Sequence, residues 1–281
     1  MLDNFNILIT GPIYDAKFVE ENVKYYSDQG FHVTVSTWEG WESKKLTIPH
    51  VVSSMNHVNG EKIYGFHPLK GKEVESSLYY QAKCVENAFD ADIQPTEFTI
   101  KLRSDEFYSD LTQLVFELTG NPNQIVTNNV FLKEQKDVPF SISDHVIGMT
   151  TENMEKTFRN LCFFFDTYRN LVNPLIFPKD ILSRRGKKAN YVRPEVIISK
   201  IFLQSIGIVT PLDDTQAEII MRDYFTGVDI MHMGEYFISC THQDIYFSNI
   251  PNINKNLPKV GGKVKKTVPF PSNNKFGLRI V

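Results

Sequence analysis

The chain has 281 residues, of which 42% are hydrophobic and 12% are aromatic. Its 30 Lys and Arg residues nearly balance its 33 Asp and Glu residues, so the formal net charge at pH 7 is −3. This balance excludes a broadly basic nucleic-acid binder and an acidic disordered chain, and the apolar content is enough for a sizeable core. No nucleic-acid partner is therefore expected.

The cysteine pattern and the hydropathy bear on the cellular compartment. The three cysteines are far apart and include no CxxC pair. This argues against a disulfide scaffold and a zinc ribbon, and it favours a reducing environment. No run of 18 apolar residues occurs, and the N-terminal apolar run is too short for a signal peptide. We therefore expect a cytoplasmic protein without a transmembrane segment, either soluble or peripheral to a membrane.

The first forty residues predict a strand, a helix and a second strand. Residues 6–10 form a short apolar run that ends at Gly11-Pro12, as a buried strand before a loop does. Apolar residues at helical spacing follow, and Gly30 then stops the helix. These apolar residues are Phe18, Val19, Val23 and Tyr26. Residues 31–37 alternate between apolar and polar, which predicts a strand. Such a unit is typical of nucleotide-binding α/β sheets.

Further elements follow from the same rules of periodicity, capping and chain breaking. In chain order they are an irregular stretch over 41–77, a helix over 77–89, a strand over 98–103, strand or strand-loop pieces over 125–131 and 138–148, a helix over about 152–170 with Thr151 as its N-cap, a loop over 171–193, a helix opened by Pro194, a short helix near 215–224 and a strand near 235–240. The alternation of strands and helices predicts an α/β fold.

The end of the strand over 98–103 carries the most informative charges. Lys101 and Arg103 share one face of that strand, and Asp105 and Glu106 come just beyond its end. A carboxylate there can hold a hard divalent cation that bridges two phosphates, and basic groups beside it can neutralise the same diphosphate. The alternative is an ordinary salt-bridged strand end, which the spacing alone favours.

Two other strand ends have features of a nucleotide site. After the first strand, the small residue in Thr10-Gly11-Pro12 lets a nucleotide approach the backbone, or simply makes a tight turn. After the second strand, the Trp38 ring next to Thr37 can stack on a base, or it can pack against the strand end. Neither GxGxxG nor GxxxxGK[ST] occurs, which disfavours a dinucleotide dehydrogenase and a P-loop NTPase.

Acidic and histidine residues later in the chain are candidates for proton transfer. Asp144 and His145 can act together as a general base, bind the acceptor hydroxyl, hold a metal ion, or simply form a hydrogen-bonded turn. Glu195 lies in the first turn of a predicted helix, where it is a base or only a partner of the helix dipole. His242 is a weaker candidate, and the basic run over 184–188 is either a lid or a solvated face.

Taken together, several segments resemble the WavE family of lipopolysaccharide-synthesis proteins. They span about residues 6–200 and are, in order, ILITGPI, VSTWEG, YYQAKCVENAF, TIKLRSDEFY, FSISDHVIGMTTENM and RPE. The resemblance implies a GT-A-like fold, in which a Rossmann-like, nucleotide-sugar-binding mixed sheet is flanked by helices in a single compact domain. It implies a domain over 1–250, with a donor-binding half over about 1–110 and an acceptor half over 111–250, followed by a basic tail over 251–281.

The resemblance also implies roles for individual residues. Asp105 matches the second acid of an Asp-x-Asp motif and would hold Mn²⁺ or Mg²⁺ on the donor diphosphate, while Arg103 stands in place of the first acid. Glu106 or His242 would complete the coordination, or Arg103 would replace part of the metal's charge. His145 and His242 are expected beside the acceptor or in support of the site. The residues expected to bind the nucleotide-sugar are Thr10, Gly11, Pro12, Thr37, Trp38, Gln81, Lys101 and Arg103.

The function implied by this resemblance is that of a hexosyl- or pentosyltransferase. It would move a sugar from a nucleotide-diphosphate sugar to a hydroxyl of a glycan acceptor, with Glu195 or Asp144 as the base. Two alternatives stay open, namely a nucleotidyltransferase acting on sugar phosphates and a non-catalytic glycan-binding protein. The loop ITGPIYD is poor in the glycines and basic residues that a nucleotidyltransferase normally carries there.

Overall fold

A computed structural model describes residues 2–39, 46–53, 64–67, 72–75, 77–91, 93–129, 140–167, 194–208, 214–238 and 279–281. The strands are β1 Phe5–Thr10, β2 His32–Trp38, β3 Val51–Ser53, β4 Tyr64–His67, β5 Lys72–Glu75, β6 Phe98–Arg103, β7 Glu106–Tyr108, β8 Ile125–Asn128, β9 Val146–Thr150, β10 Phe225–Val228, β11 Tyr236–Ile238 and β12 Arg279–Ile280. The helices are α1 Ala16–Asp28, α2 Ser77–Asp90, α3 Thr112–Gly120, α4 Thr151–Thr167, α5 Pro194–Ser205 and α6 Asp214–Tyr224.

Eight of these strands form one mixed sheet in the order β12-β10-β8-β9-β6-β1-β2-β3. Each neighbouring pair in it is parallel, except that β9 runs antiparallel to both β6 and β8. Two small antiparallel pairs, β4 with β5 and β7 with β11, stand outside it. The predicted α/β class, a mixed sheet flanked by helices, is confirmed.

Apolar side chains cover both faces of the sheet, which is why β1 is buried along its whole length. Successive residues of a strand point to opposite faces. Leu8 accordingly lies in a core with residues of α2, α4, α5 and α6, whereas Ile7 and Ile9 lie in a core with α1 and α3. The helical spacing predicted for α4 is confirmed, since Met154 and Phe158 are fully buried in the first core. Each such side chain contributes about 1.5–3 kcal/mol by leaving water.

The strand order reverses beside β1, and this positions the site. β2 and β3 lie on one side of β1, and β6 and the later strands lie on the other. The segments that follow β1 and β6 therefore meet at the carboxyl edge, where the Ser104 amide donates to the Thr10 carbonyl at 2.9 Å. Open α/β sheets bind ligands at such a reversal, outside the carboxyl ends of their strands.

Some short elements differ from the sequence-based expectation. The stretch over 41–77, predicted to be irregular, contains β3, β4 and β5. The α4 cap is Thr150, whose hydroxyl accepts from the Asn153 amide at 3.3 Å, one residue earlier than predicted. At the end of the predicted basic tail, β12 adds to the sheet edge beside β10. In the part of the chain that the structure describes, we find no helix of the length and apolarity needed to cross a membrane.

Candidate functional site

The turn after β1 is held by the strands on both of its sides. Gly11 adopts a φ of +133°, a conformation that favours glycine. A Cβ on Gly11 would lie 2.7 Å from the Ser104 hydroxyl oxygen, and that hydroxyl donates to the Pro12 carbonyl at 2.8 Å. The Gly11 amide in turn donates to the Ser36 carbonyl at 3.3 Å. The small residue is thus required by packing against Ser104, and the Thr10-Gly11-Pro12 turn lies at the reversal of strand order.

The aromatic residue at the end of β2 packs against α2. The Trp38 ring is buried and stacks on Tyr80, with 5.2 Å between ring centroids and 28° between their planes. This is the packing alternative that the sequence left open. The neighbouring Thr37 side chain is fully buried, and its hydroxyl has no hydrogen-bond partner among the residues that the structure describes. Their predicted role in nucleotide binding stays a prediction.

Lys101 is a buried cation in the middle of the candidate site. Its side chain is fully enclosed, and Nζ donates to the Gln81 side-chain oxygen at 2.9 Å and to the Asp144 carbonyl at 2.8 Å. Burial lowers the pKa of Lys101 to about 8, although the Asp144 carboxylate opposes this shift. Gln81 thus contacts Lys101 from α2, and its predicted role in binding the nucleotide-sugar stays a prediction.

Arg103, the last residue of β6, is clamped by two acids. Its Nε and Nη2 donate to the two carboxylate oxygens of Asp105, each at 3.0 Å, and Nε lies 3.0 Å from Oε1 of Glu106. Burial alone would lower the pKa of Arg103, but the Asp105 and Glu106 carboxylates raise it well above its usual value. The exposed fractions of the side chains are 22% for Arg103, 6% for Asp105 and 0% for Glu106. Arg103 is thus the charged group of this trio that reaches the surface.

Glu106 joins Arg103 to a buried network. Besides Arg103, its Oε1 contacts Nδ1 of His145, and its Oε2 accepts from the Tyr108 hydroxyl at 2.8 Å. The Tyr108 oxygen also accepts from the Asn128 amide at 3.2 Å. Burial lowers the pKa of His145, but the Glu106 carboxylate outweighs this and raises it above its ordinary value. Burial raises the pKa of Tyr108, and Glu106 adds to the increase, so the tyrosine stays a neutral donor.

The two predicted bases lie in different surroundings. Asp144 is next to this network, with Oδ1 at 3.9 Å from Nε2 of His145 and a side chain that is 16% exposed. Burial raises the pKa of Asp144, but His145, Lys101 and other nearby cations lower it below its ordinary value. Glu195 lies in the first turn of α5, a helix that packs beside α4 in the first core. Its role as a base stays a prediction.

The described residues do not fit a divalent cation at Asp105. Both Asp105 oxygens accept from Arg103, and the oxygens of Glu106 are engaged by Arg103, His145 and Tyr108. In the ranges that the structure describes, no cluster of three or more His, Cys, Asp or Glu side chains is arranged to hold a metal ion. His242, the other residue expected to complete such a site, lies outside those ranges. The positive charge at this strand end belongs to Arg103 and Lys101.

Some members of the network were not identified from the sequence. Tyr108 lies two residues after Glu106 on β7, so its side chain is on the same face, and this spacing was a usable signal. Asn22 donates to the Glu106 carbonyl at 3.1 Å from the buried face of α1. Its position between Phe18 and Tyr26 at four-residue steps places a polar group on an apolar helix face, which indicates a buried acceptor.

Comparisons with known proteins give distant structural neighbours. No family model matches the chain, and no curated protein matches it. One similar structure is that of a glycosyltransferase involved in the glycosylation of the major capsid of PBCV-1, at 13% identity and a TM-score of 0.33, covering 62% of this chain and 70% of that chain. Another is an active-site mutant of LgtC, at 11% identity and a TM-score of 0.38, covering 59% of this chain and 65% of that chain. With such low identities and TM-scores, the function has to be argued from the site itself.

The fold and the site define an α/β protein with charged residues gathered at a strand-order reversal.

Proposed function

We propose that the protein is a glycosyltransferase that moves a sugar from a nucleotide-diphosphate sugar to a hydroxyl of a glycan acceptor. One observation carries this proposal, namely that Lys101 and Arg103 share a face of β6 next to the Gly11 turn, where the strand order reverses. An anionic ligand bound at this edge would contact Arg103 beside that turn and would be attracted by the charge of the buried Lys101. The WavE resemblance and the mixed sheet agree with this class of protein.

The charged groups of the site suit the departure of a diphosphate. In glycosyl transfer the bond between the sugar C1 and the phosphate oxygen breaks, and negative charge grows on the leaving nucleoside diphosphate. A cation that is fixed before the reaction stabilises this charge more in the transition state than in the ground state. Arg103 is fixed in this way by its two contacts to Asp105. In this proposal Arg103 binds the diphosphate directly, while the buried Lys101 contributes positive charge beneath the surface of the site.

Asp144 is the base in this proposal. A carboxylate base must be ionised at neutral pH, and His145 and Lys101 keep the pKa of Asp144 below its ordinary value. Its side chain is more exposed than those of Asp105 and Glu106, so an acceptor hydroxyl can approach it. In a direct attack, the hydroxyl oxygen forms the new bond to C1 and its proton passes to Asp144. Glu195 is the second choice for this role.

The test combines binding with turnover. A ligand that binds the native state raises its stability in proportion to ln(1 + [L]/Kd), so thermal shifts with UDP, GDP and dTDP report donor binding. Stabilisation only by nucleoside triphosphates would instead favour a nucleotidyltransferase, and stabilisation by no nucleotide would favour a glycan-binding protein. Turnover is followed as nucleoside diphosphate released from UDP-, GDP- or dTDP-sugars in the presence of glycan acceptors.

A substitution of the base separates catalysis from binding. Asp144→Asn should lower kcat by about 100-fold or more while the nucleotide thermal shift persists, because the base acts on the acceptor. Asp28→Asn, at an exposed position of α1, is the matched control and should keep wild-type turnover. Wild-type kcat in the Asp144→Asn protein would contradict the assigned role.

A further inference from the structure

The strand end after β6 points to a way of binding the diphosphate that differs from the Asp-x-Asp expectation. We infer that the nucleoside diphosphate binds without a divalent cation, on the N–H groups of Arg103 that Asp105 leaves unused. Asp105 is then a positioning residue for Arg103 and not a metal ligand. This inference rests on the proposed function, since it specifies how the donor is held at the same site.

The first step of the argument is the number of donors on Arg103. A guanidinium has five N–H groups in one plane. The hydrogen bonds to Asp105 use the Nε hydrogen and one hydrogen of Nη2. Three N–H groups remain, two of which form the edge between Nη1 and Nη2, and the side chain is 22% exposed. Arginine binds phosphate oxygens through such paired N–H groups.

The second step concerns orientation. The two-point contact with Asp105 and the 3.0 Å approach of Nε to Glu106 fix the plane of the guanidinium from its inner edge. Glu106 is itself held by the Tyr108 hydroxyl at 2.8 Å. An arginine ordered before the ligand arrives loses less side-chain entropy on binding. The acids therefore act on the diphosphate through Arg103.

The third step concerns charge. A divalent ion on Asp105 would compete with the guanidinium for the same two carboxylate oxygens and would stand beside a fixed positive charge. Two like charges a few ångströms apart repel each other, and a partly buried site screens this repulsion less than bulk water does. The diphosphate is negatively charged, so Arg103 and Lys101 attract it and the carboxylates repel it. The loss of the negative charge of Asp105, taken by itself, should thus favour diphosphate binding, whereas it would abolish binding through a metal on that carboxylate.

The experiment is calorimetric titration of the full-length protein with UDP, GDP and dTDP, in excess EDTA and again with added MnCl₂ or MgCl₂. We expect one of these nucleotides to bind with the same Kd, within about twofold, in both buffers. Arg103→Gln should weaken this binding by roughly 10- to 100-fold, the loss expected for a charge-assisted hydrogen-bonded contact. Asp105→Asn, tested in EDTA, should bind within about tenfold of wild type, because Asn keeps one acceptor for the guanidinium and the loss of a repulsive charge offsets the loss of the second contact.

Arg159→Gln is a matched control, because Arg159 is also held by two carboxylates. Its Nη2 donates to Asp90 at 2.7 Å and its Nε donates to Glu155 at 2.9 Å, between α2 and α4. This variant should bind nucleotide as wild type does. Circular dichroism of each variant confirms that it is folded, and the two wild-type titrations are decisive even where a variant is not.

The outcomes separate this inference from the proposed function. Wild-type binding that requires Mn²⁺ or Mg²⁺ overturns the inference and leaves the glycosyltransferase proposal standing. Wild-type affinity in a folded Arg103→Gln protein, or loss of binding in a folded Asp105→Asn protein, also overturns it. Binding of no nucleotide in either buffer overturns both the inference and the proposed function.

Discussion

Arg103 and Asp105 make a two-point contact across a single intervening residue, with two N–H···O distances of 3.0 Å. The contact is local, because β6 ends at Arg103 and the turn at 104–105 brings the carboxylate back to the strand end. A pair formed by such a short segment needs little further ordering of the chain to form. Its surroundings are nevertheless supplied by distant segments, and these determine how the site responds to mutation and pH.

Glu106→Gln tests the centre of the buried network. The Glu106 side chain is fully buried and contacts Arg103, His145 and Tyr108. Removing one charge from a buried pair leaves the remaining charge uncompensated, so we expect the free energy of unfolding to fall by about 3 kcal/mol. Urea unfolding measures this change, and an unchanged m-value would show that the denatured state is not altered.

An exposed acid provides the control for this loss. Glu155 on α4 pairs with Arg159 at 2.9 Å while both side chains remain well exposed. Exposed ion pairs contribute about 0–1 kcal/mol, so Glu155→Gln should change stability by less than about 1 kcal/mol. Equal losses in the two variants would contradict the central position given to Glu106.

The pKa of His145 predicts a pH-dependent contribution to stability. Burial opposes the shift, but the Glu106 carboxylate raises this pKa above its ordinary value of 6.5. The nearby Asp144 carboxylate also raises it, and Arg103 lowers it. The stabilisation from protonated His145 is therefore complete below about pH 6.5 and is lost as the pH rises through the pKa of the folded state.

His145→Gln tests this linkage. The variant should lose more unfolding free energy, relative to wild type, at about pH 5.5 than at about pH 8.5. His232→Gln, at an exposed position of the chain, is the matched control substitution. A loss in His145→Gln that is greater at the higher pH would contradict the predicted direction.

A strand or helix could be predicted from the sequence where its own residues carry the pattern that forms it, but not where it depends on a neighbouring strand. β1, α1 and β6 were predicted because their hydrophobic periodicity is contained in the segment itself. β3 has three residues and β12 has two, so neither contains a periodic signal. Each exists because a neighbouring strand offers unpaired backbone groups, as β2 does for β3. That neighbour is known only once the sheet is assembled.

In the candidate site, too, local patterns could be read from the sequence, whereas contacts between distant segments could not. Strand alternation was sufficient to place Lys101 and Arg103 on one face of β6. The contact of Glu106 with His145 joins segments 39 positions apart. It depends on β9 running antiparallel next to β6, and an isolated Asp-His pair in the sequence does not reveal that neighbour. The sequence therefore indicated which groups are charged but not which of them compensate one another.

The lowered pKa of Lys101 predicts the opposite pH trend from that of His145. Burial lowers this pKa from 10.5 to about 8 in the folded protein. Between these values the unfolded chain binds a proton that the folded protein lacks, so stability rises with pH by about 1.4 kcal/mol per pH unit from this group. The neutral amine still has two N–H groups for its two acceptors, on Gln81 and Asp144.

Lys101→Met removes this titration. We expect the difference in unfolding free energy between wild type and Lys101→Met to grow by about 1–2 kcal/mol from about pH 7.5 to about pH 9.5. Lys24→Met, at an exposed position of α1, is the matched control substitution. A difference that is independent of pH in the Lys101→Met protein would show that Lys101 keeps its proton in the fold.

Gly11→Ala tests the turn that brings β1 and β6 together. The new Cβ would stand 2.7 Å from the Ser104 hydroxyl oxygen, and alanine would have to adopt a φ of +133°. We expect a loss of about 3 kcal/mol from the strained backbone and the clash together. Gly120→Ala, at the end of α3, has no heavy atom within 4 Å of the new Cβ and should be neutral or up to about 1 kcal/mol more stable.

The clash and the backbone strain at Gly11 can be separated with Ser104→Ala. Without the hydroxyl oxygen, the nearest atoms to the new Cβ are the Cβ and amide nitrogen of residue 104 at 3.6 Å, which is ordinary contact. Gly11→Ala should thus cost about 1 kcal/mol less in the Ser104→Ala background than in wild type, while the strain at φ remains. Urea unfolding of the four proteins in this cycle gives the coupling. A coupling of zero would mean that Ser104 yields freely to the new methyl group, and the turn would then be fixed by the backbone conformation of Gly11 alone.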